Sequence, residues 1–424
     1  MSAYACKPFA GSEPGVGWNW AVQASRDNEV WVITPSFYRP AIEAALEKEP
    51  NPNLHFAYHD VPLPWSRVLK HRDDHNYPYY YAWQITALGL ARRLHAEVGF
   101  DVAHHVTYAG FRFPSFLLGL DVPFVWGPVG GGAQAPLRFT PAFGFRNTLI
   151  QVARGLSNAL AKFDPLLWLT ARRASLIVAD SPETLAALPF GSADKVVLES
   201  QDGLHANEVP QRKGGEGESL RAAYIGRLLY WKGVHLGIEA VAEARQTRGD
   251  VTFTLIATGA EEERLRDRAK RLGIEEAITF AGPMPRQEAL QMLAEHDCLL
   301  FPSFQDSGGP FAVLEAMEAG LPVVCLNMGG PALTVTDETG IRVEVKNHDQ
   351  VVRDLAAALL RLAEDADLRE SMGAAGRRRL QEKYLWERKA GVINSLYARA
   401  VLSANQSVTN HEAPDGSLDK GMEA

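Results

Sequence analysis

Arg227 and Lys232 lie five residues apart in YIGRLLYWKGVHLGIEAV (224–241). In a strand-to-helix loop, a guanidinium and an ammonium at that spacing can clamp a diphosphate and stabilise charge as it develops. Read alone, such a pair is also common as solvated surface charge. Asp306 and Glu315 lie in FPSFQDSGGPFAVLEAMEAGLPVV (301–324). There CLLFPSF reads as a buried strand, Pro310 suits a first helical turn, and Gly320 before Leu-Pro closes a short helix. The loop QDSGG then falls at the carboxyl end of a parallel strand, where open α/β sheets bind ligands and a helix tip offers unpaired N–H groups. Ser307, Gly308 and Gly309 allow close approach to that backbone. Glu315 can accept hydrogen bonds from a ribose diol, and Asp306 would face whatever lies beyond the phosphates. Purely structural roles compete with these: Asp306 or Ser307 capping the helix, Glu315 and Glu318 favouring its positive end.

Loops of this kind need parallel sheets to carry them. Short β-rich runs (EVWVITP, DVAHHV, PFVWGPV, SLIVADS, then AAYIGR, TFTLIATG, AITFAG, CLLFPS and PVVCLN) alternate with helical stretches, which predicts an α/β protein. At 424 residues, 46% of them apolar, the chain exceeds one ordinary core. The polar, glycine-rich stretch EVPQRKGGEGES separates two such series. The predicted division is a first domain over 1–207, a linker over 208–219, a second domain over 220–383, a helix over 384–402 and a disordered tail over 403–424. A formal charge of -8 with mixed signs argues against nucleic acid. Three cysteines without a CxxC pair point to a reducing cytoplasm and no structural zinc. The apolar runs are too short for a membrane span.

The 301–324 stretch resembles the signature of retaining glycosyltransferase family 4, and YIGRLLYWKG resembles that family's Arg…Lys-Gly element. LEAMEAGLPVV matches well around Glu315. The acid expected seven intervening residues earlier is replaced by Ser307, with Asp306 one residue further away. The resemblance implies the GT-B fold: two Rossmann-like domains with parallel sheets facing across a cleft, and a C-terminal helix crossing back to the first. It further implies that Arg227 and Lys232 hold a donor pyrophosphate, that Asp306 or Ser307 faces the donor sugar, and that Glu315 holds the ribose. Backbone groups around Pro283, Met284 and Pro285 would contact the base. YACKPFAGSEPGVGWNW resembles the family's first loop and helix, with Gly15 and Gly17 permitting close approach to the donor phosphate or the acceptor. In DVAHHVTYAG, His105 is the candidate to touch the sugar. No metal or cofactor is implied beyond the nucleotide-diphosphate sugar itself; the partner is a carbohydrate or lipid-linked acceptor.

The resemblance therefore implies a metal-independent retaining glycosyltransferase. A sugar-nucleotide epimerase or phosphorylase on the same architecture, or an inactive nucleotide-sugar-binding subunit, are the alternatives. GPVGGG (127–132) is expected to be a mobile, cleft-lining loop, and YPYYYAWQ (77–84) to be core. HRDDH (71–75) reads as a solvated loop. RNTLIQVARGLSNALAKFDPLLWLTARR (146–173) mixes cations with Leu, Phe and Trp at helical spacing. It suits either peripheral contact at the inner face of an anionic membrane or an interior helix pair, with the interior favoured.

Overall fold

A computed structural model describes residues 1–63, 65, 77–188, 195–212, 219–306 and 308–412. The chain forms two sheets, each entirely parallel. The first contains β1 (Ser2–Ala3), β2 (Val30–Thr34), β3 (Leu54–Tyr58), β4 (Ala103–Thr107), β5 (Phe124–Val129), β6 (Leu176–Ala179) and β7 (Val196–Leu198), in the order β3-β2-β1-β4-β5-β6-β7. The second contains β8 (Arg221–Arg227), β9 (Thr252–Thr258), β10 (Ile278–Phe280), β11 (Cys298–Phe301), β12 (Val323–Leu326) and β13 (Gly340–Val343), in the order β10-β9-β8-β11-β12-β13. Strands such as CLLF and VVCL are apolar throughout and fully buried, as required when helices cover both faces of a parallel sheet. The aromatic run at 77–84 is core as expected: Tyr79, Tyr80 and Trp83 are buried in the first domain.

In each sheet the winding reverses once, between β1 and β4 and between β8 and β11. Ligand crevices of open α/β sheets open at such reversals, beyond the carboxyl ends of the strands. The loops after β8 and β11 carry Arg227, Lys232 and Asp306. In the first sheet, β4 itself carries His105, and Gly15 and Gly17 lie on the helix Ser12–Ala24 that follows β1. Backbone strain collects at the first-domain reversal: Phe9, Ser12 and Tyr108 all take positive φ, the left-handed region that non-glycine residues enter at a cost.

The C-terminal helix crosses back as expected. It spans Trp386–Glu412, ten residues past the predicted end at 402, so the disordered tail does not begin at 403; residues 413–424 lie outside the described residues. Trp386, Ile393, Leu396 and Ala400 belong to a core cluster shared with Val32, Val125 and Val178 of the first sheet. Tyr397 Oη lies 2.9 Å from His104 Nδ1, and the fully buried Lys389 ammonium bonds Glu199 at 2.6 Å. The predicted linker is anchored over its first part. Glu318, buried on the helix Phe311–Ala319, accepts from the backbone N–H of Asn207 at 2.5 Å and of Val209 at 3.1 Å. Arg212 meets Asp297 at 2.9 Å. Residues 213–218 lie outside the described residues.

Candidate active site

The loop after β8 and the loop after β11 are stitched together by backbone. Phe304 N–H donates to the Trp231 carbonyl at 3.0 Å. Gly233 takes φ +64° with its α-carbon so close to Pro302 that a Cβ would stand 2.0 Å from that carbonyl oxygen, so only glycine fits. This close approach carries Lys232 to Asp306: the Lys232 ammonium and Asp306 Oδ1 form an ion pair, with both side chains largely out of solvent. Asp306 Oδ2 is buried without a hydrogen-bond partner among the described residues. The pair places one cation and one spare carboxylate oxygen at the second-domain reversal. Arg227 ends β8 with an exposed side chain, and its carbonyl accepts from Tyr224 Oη at 3.0 Å. Ser307 lies outside the described residues.

Glu315 is 3% exposed on the first turns of the helix Phe311–Ala319. Burial raises the pKa of its carboxyl group, and an ion pair with Arg286 opposes that shift. Arg286, itself 3.1 Å from Glu208, opens the helix Arg286–Leu293 immediately after the Pro283–Pro285 turn. Sequence reading missed it; its place directly beside the expected base-binding turn was the available signal. Met284 is half-buried against the second-domain core.

The glycine tip of the 306–309 loop is not open. Gly308 and Gly309 are buried against the first domain. Ser200 Oγ donates to the Gly308 carbonyl at 2.9 Å, and a Cβ on Gly308 would stand 2.4 Å from the Asp180 carbonyl oxygen. The Gly308 N–H donates to the Asp180 carboxylate. The Gly308 amide expected to be free is therefore engaged, because the two domains close on that loop. Asp180 directly follows β6; Thr184 Oγ1 donates to its Oδ1 at 2.8 Å, while Oδ2 is buried with no partner among the described residues. Burial raises the pKa of this carboxyl group to about 6. A second bridge runs from Gln305 to Gln151 at 2.8 Å and on to Tyr230 Oη at 3.1 Å. A third joins Gly329 N–H to Glu183 at 2.8 Å. A strand ending in Asp-Ser before a helix-starting proline was the only sequence sign of Asp180.

First-domain expectations need correction. His105 is buried rather than facing the cleft: its Nε2 lies 3.1 Å from Tyr80 Oη and 3.0 Å from the Thr107 carbonyl. Burial lowers its pKa to about 4, so the ring is neutral at pH 7. Gly17 is buried and serves helix–strand packing, since a Cβ there would stand 2.0 Å from the Ala5 carbonyl oxygen. The 127–132 loop is pinned: Gly130 N–H donates to Ala109 at 3.0 Å, and Gly132 N–H to Thr184 Oγ1 at 3.1 Å. The 146–173 segment is not an interior pair, for its apolar side faces solvent. HRDDH lies outside the described residues.

Residues 207–379 match the sequence model of glycosyl transferases group 1. The matched stretch lies in the second domain and the connection leading into it. The match takes in every second-domain residue singled out above. Glycogen synthase of Mycobacterium tuberculosis is 29% identical over 260 residues, 58% of this chain and 61% of that protein. D-inositol 3-phosphate glycosyltransferase of Corynebacterium aurimucosum is 32% identical over 186 residues, 42% of this chain and 43% of that one. The match thus spans 61% and 43% of the length of these two relatives. Among solved structures, sucrose-phosphate synthase from Thermosynechococcus elongatus superposes with a TM-score of 0.61 at 17% identity, covering 93% of this chain and 94% of that one. The Anabaena protein HepE, solved with UDP and glucose, gives 0.54 at 16% identity over 96% and 97%. These likenesses extend the glycosyltransferase-type fold over both domains, as the GT-B expectation required.

Proposed function

We propose that the protein is a retaining glycosyltransferase that moves a sugar from a nucleotide-diphosphate donor to an acceptor hydroxyl without a metal ion. The observation that carries this is the meeting of Lys232 with Asp306 at the β8/β11 reversal, inside the group 1 domain. Arg227 and Lys232 neutralise the donor diphosphate and the charge that develops on it as the glycosidic bond breaks. Asp306, released by Lys232 when phosphate takes that ammonium, turns its carboxylate to the sugar hydroxyls. Glu315 receives the ribose diol, with Arg286 holding its carboxylate ionised until the ligand arrives. The acceptor attacks from the face the leaving group departs, and a donor phosphate oxygen takes its proton, so no enzymic nucleophile is required. Closure across Gly308, Asp180 and Ser200 excludes the water that would hydrolyse the donor. Support for a nucleotide-diphosphate ligand comes from HepE, solved with UDP and glucose. The acceptor is a carbohydrate, free or lipid-linked, met on the cytoplasmic side.

Thermal stabilisation by UDP, GDP, ADP and TDP tests the reading, because a ligand that prefers the folded state raises the melting temperature. One diphosphate should stabilise the wild type. Glu315→Ala should weaken that binding by about 1.5–3 kcal/mol, the scale of hydrogen bonds to a charged group. A wild type indifferent to all four nucleotides would remove the proposal.

A further inference from the structure

The helix Phe145–Ala161 is amphipathic, and the protein packs it with the polar side inward. Gln151, 1% exposed, bonds Gln305 and Tyr230 of the second domain, Arg154 donates to the Gly131 carbonyl at 3.2 Å, and Arg112 meets Asn158 at 2.5 Å. The outward side carries Phe145, Leu149, Val152, Leu156, Leu160 and Phe163. Their steps of three or four residues form one stripe, with Phe145 and Phe163 each 81% exposed. The following helix, Pro165–Arg173, continues it with exposed Leu166 and Leu169. Folding normally buries such a stripe, and leaving it in water costs roughly 25 cal/mol for each Å². An exposed contiguous apolar patch marks a surface with a partner.

The charge around the stripe selects the partner. Over 145–173 there are five cations, Arg146, Arg154, Lys162, Arg172 and Arg173, against one acid, Asp164. The Asp164 carboxylate is occupied capping its own helix, accepting from Leu166 N–H at 2.8 Å. Arg146, Lys162, Arg172 and Arg173 are exposed, on a chain whose formal charge is -8. A locally cationic apolar face on an acidic molecule complements an anionic, apolar-cored surface. A helix lying in the plane of a bilayer has this composition. We infer that residues 145–173 form the seat by which the protein docks on an anionic lipid bilayer. The inward polar side of the same helix touches Tyr230 and Gln305, which flank Lys232 and Asp306 in sequence, so docking would hold the second-domain reversal beside the lipid headgroups.

Flotation of the full chain with vesicles of phosphatidylcholine alone, or phosphatidylcholine with phosphatidylglycerol, tests this. Binding is expected to the anionic vesicles and to be at least about tenfold weaker to the neutral ones. Leu149→Glu combined with Leu156→Glu should abolish it while leaving the melting temperature unchanged, since both side chains are outside the core. Lys162→Glu with Arg172→Glu should weaken it without affecting folding. Equal binding to neutral vesicles, no binding to either, or wild-type binding by the leucine variant would each overturn the inference. So would a wild-type dimer that the leucine variant converts to monomer when neither form floats with vesicles.

Discussion

Lys232 and Asp306 neutralise one another across two loops, and each is also assigned a separate contact with the donor. In the free protein the lysine is partly masked, so an arriving diphosphate must compete with the aspartate. Asp306→Asn should therefore bind a nucleoside diphosphate more tightly than wild type and yet turn over the whole donor more slowly; titration calorimetry beside an initial-rate assay separates the two. Matching changes in both quantities would count against the assignment. Asp180 makes a second prediction by its charge. Its pKa is raised by burial from an ordinary value of 3.8 to about 6, so its contribution to stability is present below 3.8 and is lost as pH rises through 6. Asp180→Asn should gain melting temperature relative to wild type at pH 7–8, and the gain should shrink toward pH 4. A pH-independent difference would show that the carboxyl does not carry that burden. Residue-level legibility was uneven: Glu315, Lys232 and Asp306 announced themselves through spacing beside glycines. Asp180, Ser200 and Arg286 act through partners 29 to 128 positions away in sequence, for which no local pattern exists.

At the level of elements, most of the parallel strands and their order of appearance were legible because buried strands read as apolar runs, whereas β3, β7 and β13, edge strands that are only partly buried, escaped. Helix periodicity was legible too, but it carries no sign. The spacing of Leu149, Val152 and Leu156 established that the two sides of their helix differ, while the direction of each side depends on Gln151 finding Gln305 and Tyr230 across the cleft. The pinned 127–132 loop escaped for the same reason, since glycine-rich sequence suggests mobility and only Thr184 and Ala109 reveal the restraint. The C-terminal helix was read correctly as crossing back. Its energetic part is testable at one side chain: Ile393, fully buried beside Val178 and Trp20, should on change to Ala destabilise the protein by about 2–5 kcal/mol. Urea denaturation followed by tryptophan fluorescence would report it, and a change within error of zero would show the helix to be loosely attached.

For the whole molecule, the decisive contact is the one between the 308–309 loop and the ends of β6 and β7. It joins the carboxyl ends of strands in the two sheets. Gly308→Ala inserts a methyl group 2.4 Å from the Asp180 carbonyl oxygen, a contact with backbone that separation of the domains would relieve. Small-angle scattering should show a larger radius of gyration for this variant, with donor turnover falling alongside it; a profile superimposable on wild type would mean the loop relaxes locally instead.

Trp386, Ile393, Leu396 and Ala400 fill the interior of a domain whose other residues are specified hundreds of codons earlier. During synthesis the first domain emerges first but cannot complete its packing until the ribosome has delivered Ala400. The second domain, whose core needs none of those four side chains, is free to settle before it. A nonsense codon after residue 385 would therefore damage the half of the protein furthest from it.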